Sequence, residues 1–210
     1  MKRFFVVLAV VLWTLLIFAE ETIHIKADLI TLKEDVAFLA SEGVPVWIQK
    51  GDLTVEAASA TLYKRGISWN RFVADGEVSL SLKDLWATAT HLDYDLDKET
   101  GSMSGKVQLK ILQKDSTETV LVFCDSLEFD RKAELYNGSS SDKIRIEKGE
   151  MTALAKSFSY EREKNLVTLE GDVYIEDVKN RRKVWASRAI FNLETDEITV
   201  YKAEIELTTE

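Results

Sequence analysis

Residues that usually carry chemistry are scarce in this 210-residue chain: it has one cysteine, Cys124, and two histidines, His24 and His91. A lone cysteine cannot form an internal disulfide, which excludes a small disulfide-stapled scaffold. No serine sits in a nucleophile-elbow context, so nucleophilic catalysis lacks its usual groups. With one proline, Pro45, and no Gly/Ser linker, nothing marks a domain boundary, and residues 20–210 read as a single domain. Beyond residue 20 no helical stripe of ten or more residues appears. The one long apolar run is Phe4 to Phe18, broken only by Thr14, preceded by Lys2 and Arg3 and followed by Ala19 and Glu20. It is shorter than the roughly 20 residues a spanning helix needs, and it has the charge, apolar core and small-residue exit of a secretory signal peptide over residues 1–19. A retained anchor is the alternative, and either reading places the rest of the chain outside the cytoplasm. Positive charge is also in deficit: 27 Lys and Arg face 36 Asp and Glu, a net −9 that becomes −11 once Lys2 and Arg3 are removed. Such a balance argues against a nucleic-acid partner and implies solubility.

What the chain does have is a repeat of about 30 residues. A small residue, two others, then an apolar-x-apolar pair recurs as Ala27…Ile30-x-Leu32, Ala57…Ala60-x-Leu62, Ala89…Leu92-x-Tyr94, Cys124…Leu127-x-Phe129, Ala155…Phe158-x-Tyr160 and Ala186…Ala189-x-Phe191. A second pair follows each: Val46/Ile48, Val78/Leu80, Val107/Leu109, Ile144/Ile146, Val173/Ile175 and Ile205/Leu207. Period-2 alternation through these pairs predicts strands with one buried and one wet face. The class is therefore all-β. Repeats at this period bury their apolar faces only by stacking, which gives an elongated body with a continuous groove or core.

Glycine precedes the second pair at Gly76, Gly105 and Gly171, where a bulge would carry the strand from one sheet into another. The copies at Ile144 and Ile205 lack it. In the early copies the small residue lies at an odd offset from its apolar pair, so in a regular strand it would face the other way. Either a bulge or a close approach of another segment accounts for that.

The stretches Ala89-Thr-His-Leu92-Asp-Tyr94 through Gly105-Lys-Val107, and Ala155-Lys-Ser-Phe158-Ser-Tyr160 through Gly171-Asp-Val173, carry a resemblance. Together with the signal peptide, they are similar to the OstA family of lipopolysaccharide-transport proteins (LptA, LptC and the LptD N-terminal domain), nearest its periplasmic bridge members. The similarity spans residues 25 to 207. It implies a twisted, open β-jelly roll of two apposed antiparallel sheets, here about six repeated rungs, whose apolar seam holds lipid acyl chains. It also implies a periplasmic, non-enzymatic bridge carrying lipopolysaccharide or a similar glycolipid from inner to outer membrane, joined head to tail with itself and with homologous domains at either membrane. No cofactor is implied. On the phase of the apolar pairs, Val78, Leu80, Val107, Leu109, Leu127, Phe129, Phe158, Tyr160, Val173, Ile175 and Phe191 are expected to line the groove. Trp86 and Trp185 share a phase with the apolar pairs of their strands and are expected in the core or groove.

The remaining candidates read as structural. His91 is out of phase with Leu92 and Tyr94 and faces solvent. Cys124 fills an alanine slot. Asp93-Tyr-Asp95-Leu-Asp97 resembles the opening of a calcium loop but has Lys98 and Ser104 where that loop needs glycine and glutamate. Arg181-Arg182-Lys183 with Lys179 caps a solvated hairpin, the alternative being contact with anionic lipid phosphates or an acidic partner surface. Two rival functions stand beside the lipid bridge. A structural envelope repeat would have its seam filled by its own side chains, and a polysaccharide-active β-solenoid would need clustered carboxylates or histidines.

Overall fold

The computed structural model describes residues 22–83, 85–112 and 119–208. The expected signal peptide, residues 1–19, lies outside them. Among the described residues there are sixteen strands: β1 (Ile23–Lys26), β2 (Leu29–Leu32), β3 (Val36–Ala40), β4 (Val46–Lys50), β5 (Leu53–Ala57), β6 (Ser59–Arg65), β7 (Ser68–Leu82), β8 (Leu85–Asp95), β9 (Thr100–Leu112), β10 (Thr119–Asp130), β11 (Leu135–Lys148), β12 (Met151–Glu161), β13 (Leu166–Asp177), β14 (Arg182–Asn192), β15 (Ile198–Tyr201) and β16 (Glu204–Leu207).

All pairings are antiparallel, and from β7 to β15 the strand order follows the chain, while β1 pairs β4, β5 pairs β7, β3 pairs β6 and β16 pairs β14. From β7 to β14 each long strand is broken near its middle by a register shift, as between Asp75 and Val78, Thr88 and His91, or Glu170 and Val173. The shifts fold the network along one line into two apposed sheets. The first contains β1, β4, β5, one half of each long strand, and β16; the second contains β2, β3, β6, the other halves, and β15. This is the open β-jelly roll. Inner faces alternate with outer ones along every half-strand, so both sheets turn an apolar face to a single continuous core.

The corner explains the glycines. Gly76, Gly105 and Gly171 have φ of +74°, +81° and +79°, and Glu77, Lys106 and Asp172 after them are left-handed too. Two successive left-handed residues turn the strand into the other sheet. At Gly105 a Cβ would also fall 2.0 Å from Thr90 Oγ1, so conformation and space both require glycine. β11 reaches the same corner without glycine, through a wider excursion between Ser139 and Ile144. Ser140 Oγ accepts from the Asp125 amide at 2.9 Å, and the Asp125 carboxylate accepts from the Ser141 amide and hydroxyl at 2.8 Å. The Ser141 backbone and side-chain bonds hold that carboxyl below the usual range. At the first corner Asp28 does the equivalent, accepting from the amides of Glu42, Gly43 and Val44.

These bulges settle the odd offset of the small residues. Ala57, Ala89, Cys124 and Ala155 are buried on the same inner face as the apolar pairs, directly opposite Val46, Val78, Val107 and Ile144. The same phase reversal corrects the tryptophans. Trp86 and Trp185 lie on the outer face, Trp86 under the Lys110 ammonium and Trp185 against the Tyr174 ring. Their parity matches Tyr94 and Phe191 only if the strand is read straight through its bulge.

An apolar seam with a clasped lip and two mouths

The eleven expected groove residues all face the interior, each 0–5% exposed. In the first sheet, Leu80 and Leu109 flank Ala87, and Ile175 continues the same row beyond Val122, Ile146 and Ala153. In the second sheet, Phe158 lies opposite Gly138, where a Cβ would meet the Phe158 ring at 2.2 Å. Leaving that position bare lets the ring fill the seam. A file of aromatic rings runs through Phe72, Tyr94, Phe129, Tyr136 and Tyr160, with successive centroids 5.4, 5.9, 6.3 and 5.9 Å apart. Sequence reasoning omitted Phe72, Tyr94 and Tyr136 from this file. Tyr94 belongs to the repeat that begins at Ala89, whereas Tyr136 precedes a serine-rich half-strand with no apolar alternation to announce it.

The seam is closed along the line of bulges and faces outward along the hairpin turns. Side chains from turns of the two sheets meet across that lip. Arg131, in the β10–β11 turn of the second sheet, pairs with Asp52 in the β4–β5 turn of the first. It also donates to Tyr94 Oη at 3.2 Å. Its guanidinium titrates above its ordinary range: burial opposes the charge, but Tyr94, Asp52 and Glu99 outweigh burial. Lys50 Nζ donates to the Leu96 carbonyl at 2.9 Å, and Lys148 pairs with Asp196. Beside the clasps of Lys50 and Lys148 the seam has a mouth towards each end. One cavity of about 610 Å³ adjoins Ile67, Trp69 and Leu96 near β1, and one of about 140 Å³ adjoins Met151, Phe191 and Ile198 near β15.

Among the described residues the terminal strands are paired on one side only. Lys33 donates to the Val36 carbonyl at 2.8 Å, so alternation along the β2–β3 ladder points the N–H and C=O of Ile30 and Leu32 away from β3. At the other end Thr208 donates to the Arg181 carbonyl at 3.1 Å, which points those of Ile205 and Leu207 away from β14. Ile30, Leu32, Ile205 and Leu207 are also among the exposed large apolar residues. Each end thus offers both edge hydrogen bonds and an apolar face.

The polar candidates are engaged locally. His91 faces outward, with Nδ1 2.7 Å from the Asp75 carboxylate. Asp93 takes Arg71, while Asp95 accepts from the amides of Asp97 and Lys98, so the three aspartates do not converge. Burial pushes the Cys124 thiol up to about 12, leaving it protonated. Arg182 is held by Asp177 and Lys183 by Glu176. Among the described residues no cluster of His, Cys, Asp or Glu is placed to hold a metal, and no helix is long and apolar enough to cross a membrane.

No curated protein matches the chain in sequence. Among solved structures, the crystal structure of LptH, the LptA-homologous periplasmic component of the lipopolysaccharide transport device of Pseudomonas aeruginosa, is similar at a TM-score of 0.34 and 9% identity, over 90% of this chain and 97% of that one. The profile of the LptA/(LptD N-terminal domain) LPS transport proteins matches residues 24–134, from β1 into the turn after β10 and so through both sheets and the first clasps. With just over half of its length matched in this way, the chain belongs to the LptA/LptD N-terminal domain family of LPS transport proteins.

Proposed function

We propose that the protein is exported by cleavage after Ala19 and that residues 20–210 act as one segment of a periplasmic bridge. It carries lipopolysaccharide or a similar glycolipid from inner to outer membrane, with acyl chains in the seam and no catalysis. The observation that carries this reading is the inward apolar rung restated from β4 to β14 in a member of an LPS transport family. At about 0.8 kcal/mol per buried methylene an acyl tail is retained by such a trough. Many equivalent rungs let it shift from one to the next without a deep trap. The one-sided terminal strands support head-to-tail joining, with a second copy or with homologous domains at either membrane.

One observation favours the structural-repeat alternative: the seam is filled by its own side chains, with Leu109 and Phe158 no more than 3% exposed. In the transport reading the sheets part along the clasped lip as a tail enters. A photo-crosslinker at Leu109 or Phe158 in the exported protein should capture an acylated lipid, and one at the outward Gln108 or Ser159 should not. Equal capture from both phases removes the seam as the path. End-to-end assembly without capture at either inward position establishes the structural reading.

A further inference from the structure

The inner row of the first sheet nearest the lip is apolar from Leu53 through Leu82, Leu85 and Ile111 to Val120, and then becomes Lys148, Met151, Asp177 and Arg182. Charged side chains directed at a seam are costly unless paired, and these are paired in different ways. Asp177 and Arg182 form a closed unit. The carboxylate, 5% exposed, accepts from the Asn180 amide at 3.0 Å, from Asn180 Nδ2 at 2.7 Å and from Arg182 Nε at 2.9 Å. Lys148 is nearly as deeply set, its side chain 11% exposed, but Asp196, with which it forms an ion pair, reaches over from the β14–β15 turn and is 71% exposed. A carboxylate so open to water is easily exchanged. The pair lines the cavity of about 140 Å³, together with the apolar Met151, Phe191, Leu193 and Ile198 and the charged Lys179 and Glu150. With Asp196 in place the lining cations and carboxylates balance; with Asp196 swung out, cations are in excess.

We propose that this mouth is a binding site for the phosphate of an anionic amphiphile, which replaces Asp196 on the Lys148 ammonium while the first methylenes of its tail lie on Phe191 and Ile198. The proposal rests on the reading of the seam as a lipid path and adds to it a headgroup position at the β15 end. Loading then also loosens the lip at this end, because the pair that the phosphate breaks is one of the contacts between the two sheets.

Dodecyl phosphate below its micellar concentration tests this by calorimetry, with methyl NMR shifts at Met151 and Ile198 locating the bound probe. Asp196→Asn removes the competing carboxylate and should tighten binding several-fold. Lys148→Met keeps the apolar stem and should weaken binding about tenfold or more, the value of a hydrogen bond to a charged group. Dodecyltrimethylammonium should gain nothing from Asp196→Asn. Unchanged or weaker binding by Asp196→Asn, a surface change that leaves the core intact, overturns the proposal, as does undiminished binding by folded Lys148→Met. Inorganic phosphate binding as tightly as dodecyl phosphate shows a bare anion site and overturns the amphiphile assignment. If the crosslinker at Leu109 captures lipid while dodecyl phosphate ignores Lys148, the mouth fails and the bridge stands. Failure of capture at Leu109 in otherwise unaltered protein defeats the bridge itself.

Discussion

Leu109 and Ile205 stand in the same inward row of the first sheet, linked strand by strand through Val122, Ile146, Ala153, Ile175 and Val184. Yet Leu109 is 0% exposed and Ile205 53%. The local pattern of both is apolar-x-apolar, so alternation specifies which face a residue takes and not whether that face is covered. Cover comes from the next rung and the opposite sheet, and among the described residues no strand lies beyond β16 in that row. β2 repeats the lesson at the other end, where Leu32 is 70% exposed in the same phase as the buried Leu62 of β6. A terminal rung of this kind carries an interior face without an interior.

Truncation separates the two positions most sharply. Leu109→Ala should cost about 2–5 kcal/mol, the range for a large side chain removed from a packed core. Ile205→Ala should stay within about 0.5 kcal/mol in the isolated protein, because little is buried there. Urea unfolding at a concentration where the protein is monomeric measures both. Equal costs would mean that β16 is already covered in the monomer and that the contrast between middle and end is false.

Assembly should respond in the opposite order. Because the Ile205 N–H points away from β14, Ile205→Pro removes an edge donor without breaking a bond inside the β14–β16 ladder. It should abolish concentration-dependent association at that end while the rungs around Phe158 remain folded. Sedimentation across a wide concentration range, alongside unfolding of the same variant, gives the answer. A wild-type protein that stays strictly monomeric and also fails to bind membrane-anchored homologues would sink the bridge while leaving the fold untouched.

The legible and illegible parts of this chain divide along the same line as the buried and exposed rungs. Alternation at Val78/Leu80, Val107/Leu109 and Val173/Ile175 is readable because the same apolar-x-apolar pair recurs along the chain, and Gly76, Gly105 and Gly171 mark where the sheets meet. The glycine-free corner at Ser140 and Ser141 was not readable as such, since its turn is made by Asp125 from the neighbouring strand. Alternation places Trp86 and Trp185 inward only when parity is carried across a bulge, whose effect on phase three-dimensional pairing reveals. The clasps were beyond sequence altogether: Asp52 and Arg131 are 79 residues apart, and nothing in either turn distinguishes them from other mixed-charge hairpins. Lys148 was hidden by its strand, where Ile144 and Ile146 set the phase and the lysine following them looks like an ordinary strand end.

The smallest expected effect is at Cys124, and it tests the middle of the molecule where the repeat is most regular. Cys124 is 6% exposed and lies opposite Val107 in the corner row that Ala57, Ala89 and Ala155 fill in other copies. If the slot requires only a small side chain, Cys124→Ala should cost about 1 kcal/mol or less, the order of a minor volume change, and lipid capture at Leu109 should be unaffected. Burial, with the Asp125 carboxylate adding to it, keeps the thiol protonated until far above neutral pH. Alkylation in the native state should therefore be slow at pH 8 and become rapid once the sheets unfold. Fast native alkylation would show that the corner opens even in the central rungs, and it would place flexibility where the contrast between middle and ends puts the most rigid part of the protein.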